Sequence, residues 1–318
     1  VNDAFPTETT RLADVVFPSA IWGEKLGTFT NHDRTVHLSE KAVDAPGEAR
    51  PDMDTFLEYA RRMGVQDRDG QPLLTWSTPE ECFAAFAEVT RGRPCDYSAL
   101  TYAKLRGSVG IQWPCTEDSP QGTERLYTDH HFHTETDYTE DFGHDLVTGA
   151  SHERKDHLAI GANGRAILQA VAYQPAHEQP SDQFPLLFTS GRTVHHFHTR
   201  TKTGRTPELE AAAPKPWVEI SPSDAAEHGI EEDDLVVVES ARGRLVAPAR
   251  IRGNRIGVVF APFHYGYWDS SASLDGSSPG DHPTAANELT MTTWDPVSKQ
   301  PTLKLAAVNI TKVDRRTT

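Results

Sequence analysis

Cysteine is scarce in this chain, with three residues in 318: Cys82, Cys95 and Cys115. They are too few and too widely spaced for a disulfide framework, and none has the close spacing of a zinc or iron–sulfur site. Packed, reduced thiols are the expectation. Long apolar runs are also missing. Nothing approaches the roughly 20 apolar residues that a membrane-spanning helix needs, so no span is expected. Positive charge is in deficit: 31 Lys and Arg stand against 46 Asp and Glu, a formal net charge of −15. Without an extended basic surface to neutralise phosphates, no nucleic-acid partner is expected. The chain has no P-loop and no G-x-S-x-G elbow, and no helical pattern follows Thr189-Ser190-Gly191. It starts at Val1, so a targeting signal would not be legible; a cytoplasmic location is the expectation.

What is present reads as a loop-rich globular protein long enough for two domains. Residues 12–18 read as a short apolar strand stopped by Pro18. Met53, Phe56, Leu57, Ala60 and Met63 recur at helical spacing, with Pro51 before them and Gly64 after. Thr78-Pro79-Glu80-Glu81 is a capping box with proline at the first helical position, opening a helix whose apolar side is Cys82, Phe83, Phe86 and Val89, with Gly92 as its stop. Residues 93–180 are broken by Gly107, Gly110, Pro114, Pro120 and Gly122, a long irregular stretch of the kind that carries binding function or packs across a domain. From Phe184 the pattern changes. Strands at 217–220, 235–238, 245–251 and 256–260, with a Ser221-capped helix ending at Gly229, predict a compact β-barrel.

The most informative stretch is residues 189–205, TSGRTVHHFHTRTKTGR. It holds four fixed cations (Arg192, Arg200, Lys202, Arg205), three histidines, six hydroxyls and no acid. In an acidic protein, such a cluster at the end of a buried apolar run is suited to gripping phosphate, because arginine's planar fork makes two parallel hydrogen bonds. A solvated basic loop is the plain alternative. The stretch Asp129-His130-His131-Phe132-His133, followed by His144, His152 and His157, raises zinc, but it lacks an HExxH pattern and lies in an irregular acidic segment. In the tail, Pro262-Phe263-His264-Tyr265-Gly266-Tyr267-Trp268 and Ala285-Ala286-Asn287-Glu288-Leu289-Thr290, then Trp294-Asp295-Pro296-Val297-Ser298 and Lys304, set aromatic stacking faces beside Asn, Thr and Lys.

Taken together, these pieces resemble the C-terminal part of the oxidoreductases that bind bis-molybdopterin guanine dinucleotide, the DMSO reductase superfamily that includes nitrate reductases and formate dehydrogenases. The similarity is carried by TSGRTVHHFHTRTKTG, WVEISPSDAAEHGIEEDDLVVVESARGRL, PFHYG and ANELTMTTWDPVSKQP, in that order, and by TETTRLADVVFPSAIWGEKLGTFTNHDRTVH near the start. It is weakest over residues 116–183. The resemblance implies an α/β plus β architecture: a remnant of an α/β molybdopterin-binding domain (1–92), an irregular connection (93–182), and a double-psi β-barrel of the formate dehydrogenase C-terminal type (183–318). It implies that Gly191, Arg192, His196, His198 and Thr199 contact pterin or diphosphate, that Asn287 and Lys304 do so from the tail, and that Thr28 and Asn31 lie near the cofactor funnel.

The resemblance also implies what this chain lacks. Family members carry a four-cysteine [4Fe–4S] site and a Cys or selenocysteine molybdenum ligand upstream, and no cysteine here falls at such a motif. The chain is therefore expected to be one piece of a longer polypeptide, with no metal ligand, no catalytic residue and no turnover of its own. Its partners are the missing N-terminal part, a small anionic substrate and an electron donor or acceptor. The run His196-Phe197-His198-Thr199 resembles that of nitrate reductases, so nitrate reduction is the first expectation and formate oxidation the second. A zinc hydrolase and a non-catalytic nucleotide-binding module are the readings from other classes.

Overall fold

The computed structural model describes residues 1–130, 173, 175–266, 284–294 and 300–313. The backbone divides into two units, Val1–Ala170 and Val171–Thr318.

The first unit begins with β1 (Asn2–Asp3), α1 (Glu8–Arg11) and β2 (Phe17–Pro18), which runs parallel to β1. A three-stranded antiparallel sheet follows, built from β3 (Gly27–Thr30), β4 (Thr35–Ser39) and β5 (Ile111–Gln112). Between them in sequence come α2 (Asp52–Met63), α3 (Pro79–Val89) and α4 (Tyr102–Leu105). The strand expected over residues 12–18 shrinks to Phe17–Pro18, because β1 offers only two pairing residues; Leu12, Val15 and Val16 are exposed. Helix α2 ends at Gly64, whose left-handed backbone (φ 61°) returns its N–H to the carbonyls of Ala60 and Arg61. Of its apolar stripe only Leu57 is buried, while Phe56, Tyr59 and Met63 are more than 60% exposed.

Helix α3 starts as its sequence predicts. Thr78 accepts the Glu81 amide, and the Glu81 carboxylate accepts the Ser77 and Thr78 amides at 2.7 and 3.1 Å. These bonds hold the Glu81 carboxyl below its ordinary range, the Ser77 amide first among them. Thr78→Ala removes the capping oxygen and is expected to destabilise the unit by about 1 kcal/mol; an unshifted urea midpoint would show that the cap contributes nothing here. The helix stops at Thr90 rather than Gly92, and Phe83 and Ala87 face inward while Phe86 and Val89 are exposed. The stretch read as irregular supplies much of this unit's core: Tyr97, Leu100, Tyr102, Leu105 and Cys115 pack with Val36, Phe83 and Ala87. Cys115 is fully buried, and burial pushes its thiol pKa up, as expected of a packed residue.

The second unit is a closed barrel. Its elements are β6 (Leu186–Gly191), α5 (Pro207–Ala212), β7 (Val218–Ile220), α6 (Pro222–Glu227), β8 (Leu235–Glu239), β9 (Arg244–Ile251), β10 (Val258–Pro262) and β11 (Leu305–Lys312). The ring order is β6-β11-β8-β9-β7-β10, closing on β6. The pairs β6·β10 and β7·β9 are parallel and the other four antiparallel. Alternation along the strands fills the inside: Leu186, Phe188 and Ser190 from β6, Val236 and Val238 from β8, with Ile220, Leu245, Val259, Val308 and Ile310. Ser221 caps α6 as predicted. The Asp224 carboxylate accepts both the Ser221 hydroxyl and the Gly257 amide at 2.8 Å, tying that helix to the turn before β10.

Candidate functional site

Strand β6 carries the basic stretch out of the barrel core. At its end Gly191 has no room for a side chain, since a Cβ would stand 2.6 Å from the Phe260 ring. Just beyond, Arg192 is exposed. The Lys304 ammonium donates to the Ser190 carbonyl at 3.3 Å and lies 4.4 Å from the centre of the Phe263 ring. Burial first, and then the Arg192 charge, push the Lys304 pKa down. Two cations thus stand close enough to repel each other, and neither has a carboxylate partner among the described residues. That is a donor set short of an anion.

The loop after Arg192 is held from beneath by two buried histidines. The His264 ring accepts the Thr193 amide at Nε2 (2.8 Å) and meets the His198 carbonyl at Nδ1 (2.5 Å). Burial lowers its pKa, and the cations around it add to the effect. His196 meets the Ala213 carbonyl through Nε2 (2.7 Å) and the Thr203 hydroxyl through Nδ1 (3.1 Å). A carbonyl only accepts, so the proton sits on Nε2 and the Thr203 hydroxyl donates to Nδ1. The Tyr265 hydroxyl shares the Ala213 carbonyl. Arg200 is buried, donates to both Glu210 oxygens at 2.7 Å and stacks 4.6 Å over Tyr265. His198 (φ 46°) and Arg200 (φ 63°) both sit in the left-handed region that side chains other than glycine rarely occupy. Such a backbone persists only where its surroundings hold it.

The candidates therefore fall into groups. Gly191, Arg192 and Lys304 come together at the end of β6. His198 and Thr199 are exposed on the loop, where the Thr199 hydroxyl meets that of Thr201 at 2.9 Å. His196 is only 5% exposed, with both ring nitrogens engaged inside the unit. Asn287 is exposed on a 3-10 turn (Ala286–Leu289) that is anchored elsewhere. Arg242 donates to the Leu289 carbonyl and to both oxygens of Glu178, and Gly243 approaches the Glu288 carbonyl where a Cβ would stand 2.9 Å away. In the first unit, Thr28 lines a cleft of about 480 Å³ with Leu26, Met53, Phe83 and Tyr97. The Asn31 amide meets His37 Nε2 at 3.2 Å. Sequence reasoning did not single out Glu210, Arg242 or His264 as site residues. For His264 the signal was present in PFHYG, but a buried ring that serves a distant loop has no local signature.

Of the histidine-rich stretch, His130 is described, whereas His131, His133, His144, His152 and His157 lie outside the described residues, as do Tyr267, Trp268 and residues 295–299. Among the described residues no three His, Cys, Asp or Glu side chains gather to hold a metal, and no helix is long and apolar enough to cross a membrane.

Comparison with known proteins bears on this arrangement. Residues 186–307, which run from β6 into β11, match the molydopterin dinucleotide binding domain, and residues 1–62 match molybdopterin oxidoreductase. The chain is 33% identical over 312 residues to the periplasmic nitrate reductase of Desulfovibrio desulfuricans, an alignment covering 98% of this chain and 37% of that protein. It is 35% identical over 314 residues to the F420-dependent formate dehydrogenase subunit alpha of Methanocaldococcus jannaschii (98% and 39%). It is 35% identical over 319 residues to the nitrate reductase of Synechocystis sp. (98% and 38%). The chain thus spans less than two-fifths of the length of these relatives. In fold it resembles acetylene hydratase from Pelobacter acetylenicus, with a TM-score of 0.61 and 18% identity over 96% of this chain and 39% of that one. Matched over residues 1–62 by molybdopterin oxidoreductase and from β6 into β11 by the dinucleotide binding domain, this chain belongs to the molybdopterin oxidoreductase family.

Proposed function

We propose that the second unit grips the dinucleotide end of a molybdenum bis-molybdopterin guanine dinucleotide cofactor, and that the complete polypeptide is a two-electron oxidoreductase. The carrying observation is the Arg192–Lys304 pair. A diphosphate supplies the negative charge and oxygen acceptors that both cations lack among the described residues, and its arrival would oppose the lowering of the Lys304 pKa that burial first, and then Arg192, impose. His198 and Thr199 present polar groups to the pterin from the exposed loop, Gly191 lets the chain turn close beside them, and Asn287 offers an amide. His196 supports the loop from below. The closed ring with two parallel pairs supports a double-psi barrel. The two family matches support reading residues 1–92 as the end of an α/β molybdopterin oxidoreductase domain, 93–182 as a connection and 183–318 as the dinucleotide-binding barrel. Thr28 and Asn31 would then face the cofactor funnel.

When bound, such a cofactor supplies the oxygen-atom or hydride chemistry at its metal; this chain's residues hold and orient it. The metal ligand and a [4Fe–4S] cluster belong to the rest of the polypeptide in this reading, which is the chain's first partner, beside a small anionic substrate and an electron donor or acceptor. The free Cys82, Cys95 and Cys115 support a reducing, cytoplasmic setting. Nitrate is the proposed substrate, on the His196-Phe197-His198-Thr199 run and on relatives named nitrate reductases. Formate is the second reading, favoured by relatives named formate dehydrogenases. The purified full-length protein is expected to contain molybdenum and to release guanosine monophosphate on acid hydrolysis; zinc alone, or no guanine nucleotide, would overturn the proposal. Viologen-coupled assays separate the substrates: nitrate-dependent oxidation of reduced viologen supports the first, formate-dependent reduction the second.

A further inference from the structure

His264 is 2% exposed and sits on the segment after β10, away from the cationic stretch in sequence, yet both of its ring nitrogens bond that stretch. The His198 carbonyl can only accept, so Nδ1 carries the proton. The Thr193 amide can only donate, so Nε2 must keep its lone pair. The backbone therefore dictates one neutral tautomer, and the ring ties residue 193 to residue 198 across a loop whose His198 and Arg200 have left-handed backbones.

We infer that His264 is the positioning residue of the dinucleotide-binding loop, and that its protonation unlocks residues 193–198 and loosens the grip on the cofactor. This rests on the dinucleotide reading above. A second proton would have to go onto Nε2, where it would face the Thr193 N–H head-on, and the 2% exposure leaves little water to take over either bond. The His198 carbonyl favours a charge on the ring, but burial and the charged groups that face it oppose one. They are Arg192 and Arg200 from the loop and His196, whose ring centre is 5.9 Å away; Phe263 and Tyr265 flank it on its own segment. The Arg200 charge is itself paired with the Glu210 carboxylate. His196 differs, because its Nδ1 faces a hydroxyl, which can rotate between donor and acceptor, and not a fixed amide donor.

The direction of the pH effect follows. Burial puts the His264 pKa below the ordinary imidazole value of 6.5. The unfolded chain therefore takes up a proton that the folded one resists, and the clamp's contribution is full above about pH 6.5 and is lost as pH falls through the lowered folded value. The test is hydrogen exchange of the Thr193 amide in the full-length protein, corrected for intrinsic rates, between neutral and mildly acidic pH. Wild type should lose protection in acid by roughly tenfold, the equivalent of one hydrogen bond. His264→Phe should lack that protection at every pH. His264→Gln, which offers a non-titrating acceptor to Thr193, should keep protection and show no acid step. Equal protection of wild type at both pH values, or an acid step surviving in His264→Gln, would overturn the clamp. Should His264→Phe not fold, the imidazole nitrogen resonances of wild type decide: an Nε2–H tautomer at neutral pH overturns it. Retention of guanine nucleotide on dialysis separates this inference from its basis. If wild type retains the nucleotide and folded His264→Phe retains it equally well, the positioning role fails and the dinucleotide reading stands. If exchange behaves as expected but wild type holds no nucleotide, the clamp stands and the reading fails.

Discussion

Phe188→Ala should lower the stability of the barrel by about 3–5 kcal/mol, a large share of the roughly 5–15 kcal/mol that holds a domain folded. Phe188 is fully buried on β6, opposite Val259 on β10 and Ala306 on β11. Much of what surrounds it is already small, with Ala247, Ala249, Ala261 and Ala306 in the same core. In an open sheet, neighbours could close over the hole. Here the six strands form a ring whose circumference is set by hydrogen bonds, so the cavity would persist and the cost should lie toward the upper end. Urea unfolding followed by circular dichroism measures it, with Phe188→Leu as the milder control. A loss below about 1 kcal/mol would mean that the barrel collapses locally after all.

The second large effect concerns binding. Charge-assisted hydrogen bonds contribute about 1.5–3 kcal/mol each, and the exposure of Arg192 argues for the lower end. Arg192→Ala with Lys304→Ala should therefore weaken binding of guanosine diphosphate to cofactor-free full-length protein by roughly 100-fold, with a shallower dependence on salt. Fold stability should change much less than binding, since both residues are exposed and the fold loses only the Lys304 contacts to the Ser190 carbonyl and the Phe263 ring. Calorimetry with guanosine diphosphate tests this, and an unchanged dissociation constant in the double variant would remove the pair from the site. Arg192→Ala alone carries a spectroscopic sign: with the repelling charge gone, the Lys304 ammonium should titrate closer to its ordinary value.

The barrel was legible where local chemistry repeats across levels. The Ser221 cap, the stop at Gly229 and the alternation through Val236 and Val238 each constrain one short element, and the structure has them all. The cap at Thr78 was equally plain. What escaped depends on partners distant in sequence. Periodicity identified the apolar stripe of α2, yet it carries no information on whether Phe56 and Met63 find anything to cover them in this chain. Glycines and prolines made residues 93–180 read as irregular, which says nothing of how Tyr97, Tyr102 and Leu105 fold back onto α3; aromatics in a loop pack as well as aromatics in a helix. The last strand was missed because Ala306, Ala307 and Val308 are buried in succession, which is not the alternation of a half-exposed strand. At the site, the cations of residues 189–205 were visible in composition alone. The division of labour was not, because an outward Arg192 and an inward Arg200 are the same letter.

The wiring of the ring also bears on how the chain is made. Strand β6 is the first of the barrel to leave a ribosome, but its two neighbours are β10 and β11, the last two. Both of its edges therefore stay open while β7, α6, β8 and β9 are synthesised. Strands β8 and β9, joined by a tight turn, can pair at once, and β7 can then add to the far edge of β9. Assembly must wait for the most distant contacts, which are slow to form, and during that wait an apolar strand with two unpaired edges is exposed to other chains. The nascent protein should therefore be most vulnerable to aggregation, and most dependent on chaperones, between the emergence of Phe188 and that of Ile310.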